Sequence, residues 1–107
     1  MAVKGWSDAE LRDSVLAYML MEHKEQNGEK ISKTAIYKKL SLTHPRSPKS
    51  FEYRMQNISS IWVSLGRQYV KGLKPAGNVG RKMEQRIIKI VQEIDRELAN
   101  EQERTAA

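Results

Sequence analysis

Cysteine is missing from this 107-residue sequence, which excludes disulfide bridges and thiolate zinc sites and fits a reducing compartment. No apolar run approaches the roughly 20 residues that a bilayer-spanning helix needs. The first five residues, Met1–Gly5, lack the apolar core of a signal peptide. We therefore expect a cytoplasmic protein that has no membrane partner.

Residue patterns typical of catalytic centres are also scarce. His23 and His44 are the only histidines, and neither lies in a metal-binding spacing such as HExxH. No serine stands in a G-x-S-x-G elbow, no glycine pattern forms a P-loop, and the HNH nuclease signature is missing. We therefore expect no catalytic centre, no metal and no cofactor in this chain.

What the sequence does contain is typical of one small all-α domain. Hydrophobic residues make up 39% of it, enough for one modest core. Ser7 and Glu10 form a capping box that predicts a first helix over about Asp8–Glu25. Ser32 is the expected cap of a second helix, which ends before Pro45 because the residue before a proline avoids helical geometry.

The third helix has the clearest boundaries. Ser47 and Pro48 are typical of a cap followed by the first helical residue, and Gly66 is the expected stop. Between them, apolar residues recur at intervals of 4, 3, 4 and 3, which predicts a buried stripe. The stripe consists of Phe51, Met55, Ile58, Trp62 and Leu65.

The fourth helix is expected to start near Asn78 or Gly80 and to end near Asn100, followed by a polar tail that frays. Its apolar face is also helically spaced. That face consists of Met83, Ile87, Ile90, Val91, Ile94 and Leu98.

Charge is distributed unevenly along the chain. Residues 1–29 and residues 90–107 each carry a net charge of −3, whereas residues 30–89 carry fourteen Lys or Arg against two Glu, a net charge of +12. A basic block of this size repels itself unless a partner neutralises it, and it is typical of polyanion-binding surfaces. The alternative is a basic surface that water alone solvates.

Two helices, a short connection and a third helix with a polar N-terminal half form a helix-turn-helix pattern. In this interpretation the third helix enters the major groove of double-stranded DNA. Residues 1–80 then form a DNA-binding domain with a basic loop, and residues 81–107 form a helix for packing, linkage or dimerisation. The expected base contacts are Lys49, Ser50, Tyr53, Arg54 and Asn57. The expected phosphate contacts are Lys38, Lys39, Arg46, Arg67, Lys71, Lys74, Arg81 and Lys82.

Several of these residues have alternative roles. Tyr53 is equally compatible with packing at the edge of the core. Asn57 is almost equally compatible with a bond to a buried loop carbonyl. Arg81 and Lys82 oppose the macrodipole of the fourth helix, which indicates a nearby phosphate, although exposed cations are also tolerated at this position.

Two resemblances bear on function. The stretch Trp6–Leu11 (WSDAEL), with Arg46 and Ser47 before the third helix, resembles Myb/SANT-like three-helix domains. The same stretch, with RSPKSFEYRMQNIS at 46–59 and GLKPAGN at 72–78, resembles the N-terminal helical domain of McrA-type HNH restriction endonucleases and related prokaryotic defence proteins. This second resemblance covers about residues 6–80, and Leu73 stands where that family often has an aromatic residue.

The McrA-type resemblance implies a DNA-targeting module attached to a nuclease domain outside this chain, with modified cytosine as a candidate target. It implies no nuclease activity in the chain itself. Two alternatives are a protein-interaction or dimerisation module built on the stripe of the fourth helix, and a stand-alone transcription regulator.

Overall fold

The computed structural model describes residues 5–106, so Met1–Lys4 and Ala107 at the two ends lie outside it. The described residues form four helices and no strand: α1 (Asp8–Gln26), α2 (Lys33–Thr43), α3 (Pro48–Ser64) and α4 (Arg81–Ala106). The prediction of an all-α fold is therefore confirmed.

The starts of the first three helices follow from their caps. The Ser7 hydroxyl accepts from the Glu10 amide, and the Glu10 carboxylate accepts from the Ser7 amide, which completes the predicted capping box. Ser32 and Ser47 each accept from the amide three residues later, and Pro48 follows Ser47 as predicted. These caps satisfy backbone donors that have no partner inside their own helix.

The fourth helix begins just after Gly80 and continues to Ala106, six residues beyond the predicted end at Asn100. The correction has a simple reason. The segment Glu101–Arg104 (EQER) contains only good helix formers, and nothing after Asn100 breaks the backbone pattern.

One core joins all four helices. Its largest fully buried side chains include Trp62 and Phe51 of α3 and Tyr18 of α1. Ile87, Val91 and Ile94 of α4 belong to the same core. The apolar stripe of α4 is thus already covered up to Ile94, and only its last member, Leu98, is largely exposed. None of the described helices is both long and apolar enough to cross a bilayer.

The segment between α3 and α4, residues 65–80, runs back along α3. Val70 and Leu73 insert into the core, and the Val70 amide donates to the Tyr18 hydroxyl at 3.0 Å. The Lys71 amide donates to the Glu25 carboxylate near the end of α1. Farther along, the Ala76 amide donates to the Gln56 carbonyl at 3.0 Å. This segment is therefore an ordered cover over one side of α3.

Candidate nucleic-acid interface

The segment after α3 occupies much of the helix face that was expected to meet DNA. The Asn57 side-chain amide donates to the Ala76 carbonyl at 2.8 Å, and the Tyr53 hydroxyl donates to the Asn78 side chain at 2.8 Å. Gly77 passes close to Ser60, since a Cβ placed on Gly77 would be in van der Waals contact with the Ser60 hydroxyl. The polar face of α3 is thus in contact with its own following segment around Tyr53 and Asn57.

Two of the predicted base contacts, Arg54 and Asn57, are buried: Asn57 lies against the segment after α3, and Arg54 lies over the Trp6 ring. Arg54 is 9% exposed and Asn57 only 1%, and the Arg54 guanidinium donates to the Asn57 side-chain oxygen at 3.1 Å. The alternative for Asn57, a bond to a buried loop carbonyl, is the arrangement found. Burial lowers the pKa of Arg54, and the nearby Arg46 guanidinium lowers it further.

The predicted phosphate contact Arg46 is also engaged inside the protein. Its guanidinium pairs with the buried Glu10 carboxylate at 2.6 Å and donates to the Gly5 carbonyl. The guanidinium groups of Arg46 and Arg54 lie 3.9 and 4.5 Å from the centre of the Trp6 ring. These contacts fix the chain before α1 against α3, so Arg46 is a structural residue.

The carboxylate in this cluster is stabilised in its charged form. Burial alone would raise the pKa of Glu10, but the Ser7 amide and the Arg46 guanidinium outweigh it and lower the pKa below its usual value.

Arg67 and Ser50 also make contacts inside the protein. Arg67 pairs with Asp95 of α4 at 2.5 Å, and its guanidinium lies 5.1 Å from the Trp62 ring centre. Ser50 is half-buried, and its amide and hydroxyl both contact the Ser47 hydroxyl at the helix cap. Neither side chain is freely presented to a ligand.

The other predicted contacts are exposed. Tyr53 is 45% exposed beside Asn78, so it lies at the edge of α3 rather than in the core. The exposed basic side chains form no ion pair with any residue in the described part of the chain. They are Lys38, Lys39, Lys49, Lys71, Lys74, Arg81 and Lys82.

Several of these residues lie on the segment after α3 or near the points where it contacts α2 and α3. A Cβ placed on Gly72 would lie 3.3 Å from the Lys33 amine, so this part of the loop lies close to the start of α2. Lys71 and Lys74 stand on either side of Gly72 in the sequence. Lys49 precedes Tyr53 by one helical turn, and Arg81 follows the Tyr53-bonded Asn78 by three residues. We call this group the loop–helix surface: Lys33, Lys49, Tyr53, Lys71, Lys74 and Arg81.

Lys38 and Lys39 have a different location. Lys39 lines a groove between α1 and α2, and no described contact places Lys38 on the loop–helix surface. Conversely, Lys33 was not among the predicted contacts. Its position in the first turn of a helix without an acidic residue there was the available signal.

No protein family, curated protein or solved structure matches this chain significantly. Within the described residues, no group of three or more His, Asp or Glu side chains is arranged to hold a metal ion.

Proposed function

We propose that this chain binds nucleic acid, with double-stranded DNA as its main ligand, through the loop–helix surface. The observation that carries the proposal is that most cations of the basic block, residues 30–89, have no ion-pair partner among the described residues. Of its fourteen cations, Arg46, Arg67 and Arg86 are paired with carboxylates and Arg54 is buried. The other ten form no ion pair with any described residue, and all but Arg81 are lysines.

Unpaired lysines on one stretch of surface favour a phosphate backbone as ligand. An ammonium group binds phosphate as a point charge and releases counterions from the DNA when it does so. The loop–helix surface supplies four such lysines together with Arg81, and Tyr53 adds an exposed ring and hydroxyl at its edge. This composition supports binding that depends mainly on backbone contacts and only weakly on sequence.

The mode of DNA binding differs from insertion of the whole polar face of α3 into the major groove. Because residues 73–79 lie against that face, DNA would meet the outer edge of α3 at Lys49 and Tyr53 together with Lys71 and Lys74 of the loop. A helix-turn-helix in the strict sense stays a prediction. So does attachment to an HNH nuclease domain with modified cytosine as target, for which the McrA-type resemblance is the support.

The test compares lysines on and off the proposed surface. Lys71→Ala and Lys74→Ala should each weaken binding to any DNA sequence and reduce the slope of log K against log salt by about one. The matched control is Lys89→Ala, because Lys89 is an exposed, unpaired lysine that lies by the α1–α4 cleft, outside the surface. Fluorescence anisotropy with a labelled 20-base-pair duplex over a salt series gives both quantities.

Two outcomes would contradict the proposal. Absence of salt-dependent DNA binding would exclude the function itself. Equal weakening by Lys74→Ala and Lys89→Ala would show that the DNA responds to overall charge and not to the loop–helix surface.

A further inference from the structure

A groove between α1 and α2 is lined by apolar side chains that the core leaves partly exposed. Leu16 and Leu20 lie one turn apart on α1, and Ile36 and Leu40 lie one turn apart on α2. The cavity between the two rows has a volume of about 300 Å³. Two parallel rows at helical spacing are the shape that receives an amphipathic helix with apolar residues at i, i+4 and i+7.

The leucines of α1 are unusually exposed for their position. Leu16 is 41% exposed and Leu20 is 47% exposed, although the core-facing side of the same helix is completely buried. Exposed leucines that line a shared concavity, unlike single scattered ones, mark a surface that binds an apolar partner.

The charge around the groove is basic. Asp13 is the acidic residue of its lining, and the Asp13 carboxylate is bonded to the His44 ring at 2.7 Å. Lys39 also lines the groove, and Lys24 follows Leu20 by one turn of α1. Neither lysine forms an ion pair with any residue whose position is described. Two lysines against one carboxylate leave the surroundings of the groove with a net charge of +1.

We propose that this groove binds an amphipathic helix of another protein, one whose apolar stripe is flanked by Glu or Asp. The apolar rows would hold the stripe, and Lys24 and Lys39 would meet the acidic flanks. The exposed end of α4 in a second copy is the acidic helix this chain itself could supply. It offers Leu98 as its single exposed leucine, too few anchors to fill two rows. The groove is distinct from the loop–helix surface, so this inference does not depend on DNA binding.

The experiment uses two synthetic 18-residue peptides that differ only in charge. Both carry leucines spaced 4, 3 and 4 on one face. One has glutamate at every flanking position and the other has lysine there. With fluorescein-labelled peptides at about 0.1 M salt, we expect the acidic peptide to bind at least about tenfold more tightly than the basic one.

Substitutions in the chain locate the binding. Leu20→Glu should weaken the acidic peptide by about tenfold or more, because a carboxylate would then face the apolar stripe. Lys39→Glu should weaken the acidic peptide and strengthen the basic one. The matched control is Leu42→Glu: Leu42 lies on the same helix as Lys39 but is 89% exposed and outside the groove. Circular dichroism melts confirm that each variant is folded.

Three results of the peptide experiment would overturn the proposal. These are equal affinity for the two peptides, no binding of the acidic peptide up to about 1 mM, and binding that Leu20→Glu leaves unchanged. Sedimentation of the free protein as a dimer that Leu20→Glu dissociates would also overturn it, since a second copy would then occupy the groove.

Discussion

Two buried tyrosines show how differently the same hydroxyl group can be accommodated. The Tyr18 hydroxyl is bonded to the Ser59 hydroxyl at 2.8 Å and accepts from the Val70 amide. The Tyr37 hydroxyl is equally removed from solvent but has no partner among the described residues. Burial, with a smaller contribution from the Glu52 carboxylate, raises the pKa of Tyr37 to about 12. The Tyr18 hydroxyl therefore links α1 to α3 and to the segment that follows it, whereas the Tyr37 hydroxyl links no two elements.

Removal of each hydroxyl should therefore have a different effect on stability. Tyr18→Phe leaves two buried groups without a partner and should lower the free energy of unfolding by about 1–3 kcal/mol. Tyr37→Phe removes an unpaired polar atom and should be neutral or stabilising by up to about 1 kcal/mol. Urea denaturation of the two variants measures both changes, and equal destabilisation would contradict the assigned contacts.

The Glu10–Arg46 pair predicts sensitivity to acid. The pKa of Glu10 in the folded chain lies below its usual value of 4.5, so the folded state favours the charged carboxylate. The resulting stabilisation is present above pH 4.5 and is lost as the pH falls through the folded pKa. We expect the melting temperature of the wild-type chain to fall more steeply below pH 4.5 than that of Glu10→Gln. Parallel pH profiles would show that another carboxylate governs acid unfolding.

At the level of elements, α4 has two parts with different roles. Up to Asp95 one face of the helix packs into the core, Asp95 pairs with Arg67, and Glu97 pairs with Arg12 of α1 at 2.6 Å. From Leu98 to Thr105 every side chain is exposed. The end of the helix therefore extends beyond the core it helps to build.

Truncation should separate these two parts. A chain that ends at Glu97 keeps every buried contact of α4, and its melting temperature should lie within about 3 °C of the full chain. A chain that ends at Val91 loses buried Ile94 and the partner of Arg67, which should cost about 3 kcal/mol or more and lower the melting temperature by about 12 °C or more. Calorimetry of the two truncated chains distinguishes these values, and a similar loss in both would contradict the division.

The helices could be predicted from the sequence because their signals are local. Ser7, Ser32 and Ser47 each satisfy amides within their own first turn, so the pattern is complete in a few residues. The end of α4 was predicted less well because nothing in its polar sequence specifies where the helix ends.

The candidate site was harder to predict because the polarity of a side chain does not show which group will lie next to it. Arg54 and Asn57 lie outside the apolar stripe of α3, which is equally consistent with solvent, DNA or a polar backbone. The structure places the Trp6 ring beside Arg54 and the backbone of Ala76 beside Asn57, although Ala76 lies nineteen residues farther along the chain. Such a long-range contact has no signature in the local spacing of residues.

For the molecule as a whole, the uneven charge of the sequence has two separate consequences. Part of the basic block neutralises the acidic ends: Arg46 with Glu10, Arg86 with Asp8, and Arg67 with Asp95. The charge segregation along the chain is thus partly a set of contacts that hold the ends to the middle. Only the remaining unpaired cations support the proposal of a polyanion ligand.

Arginines and lysines occupy different places in this protein, and that difference has a chemical consequence. Within residues 30–89 the internal cations are all arginines, while the outward-facing ones are lysines apart from Arg81. Acetylation neutralises an amine but leaves a guanidinium intact. Acetylation of the exposed lysines would therefore lower the positive charge of residues 30–89 one residue at a time. The guanidinium contacts inside the protein would stay in place.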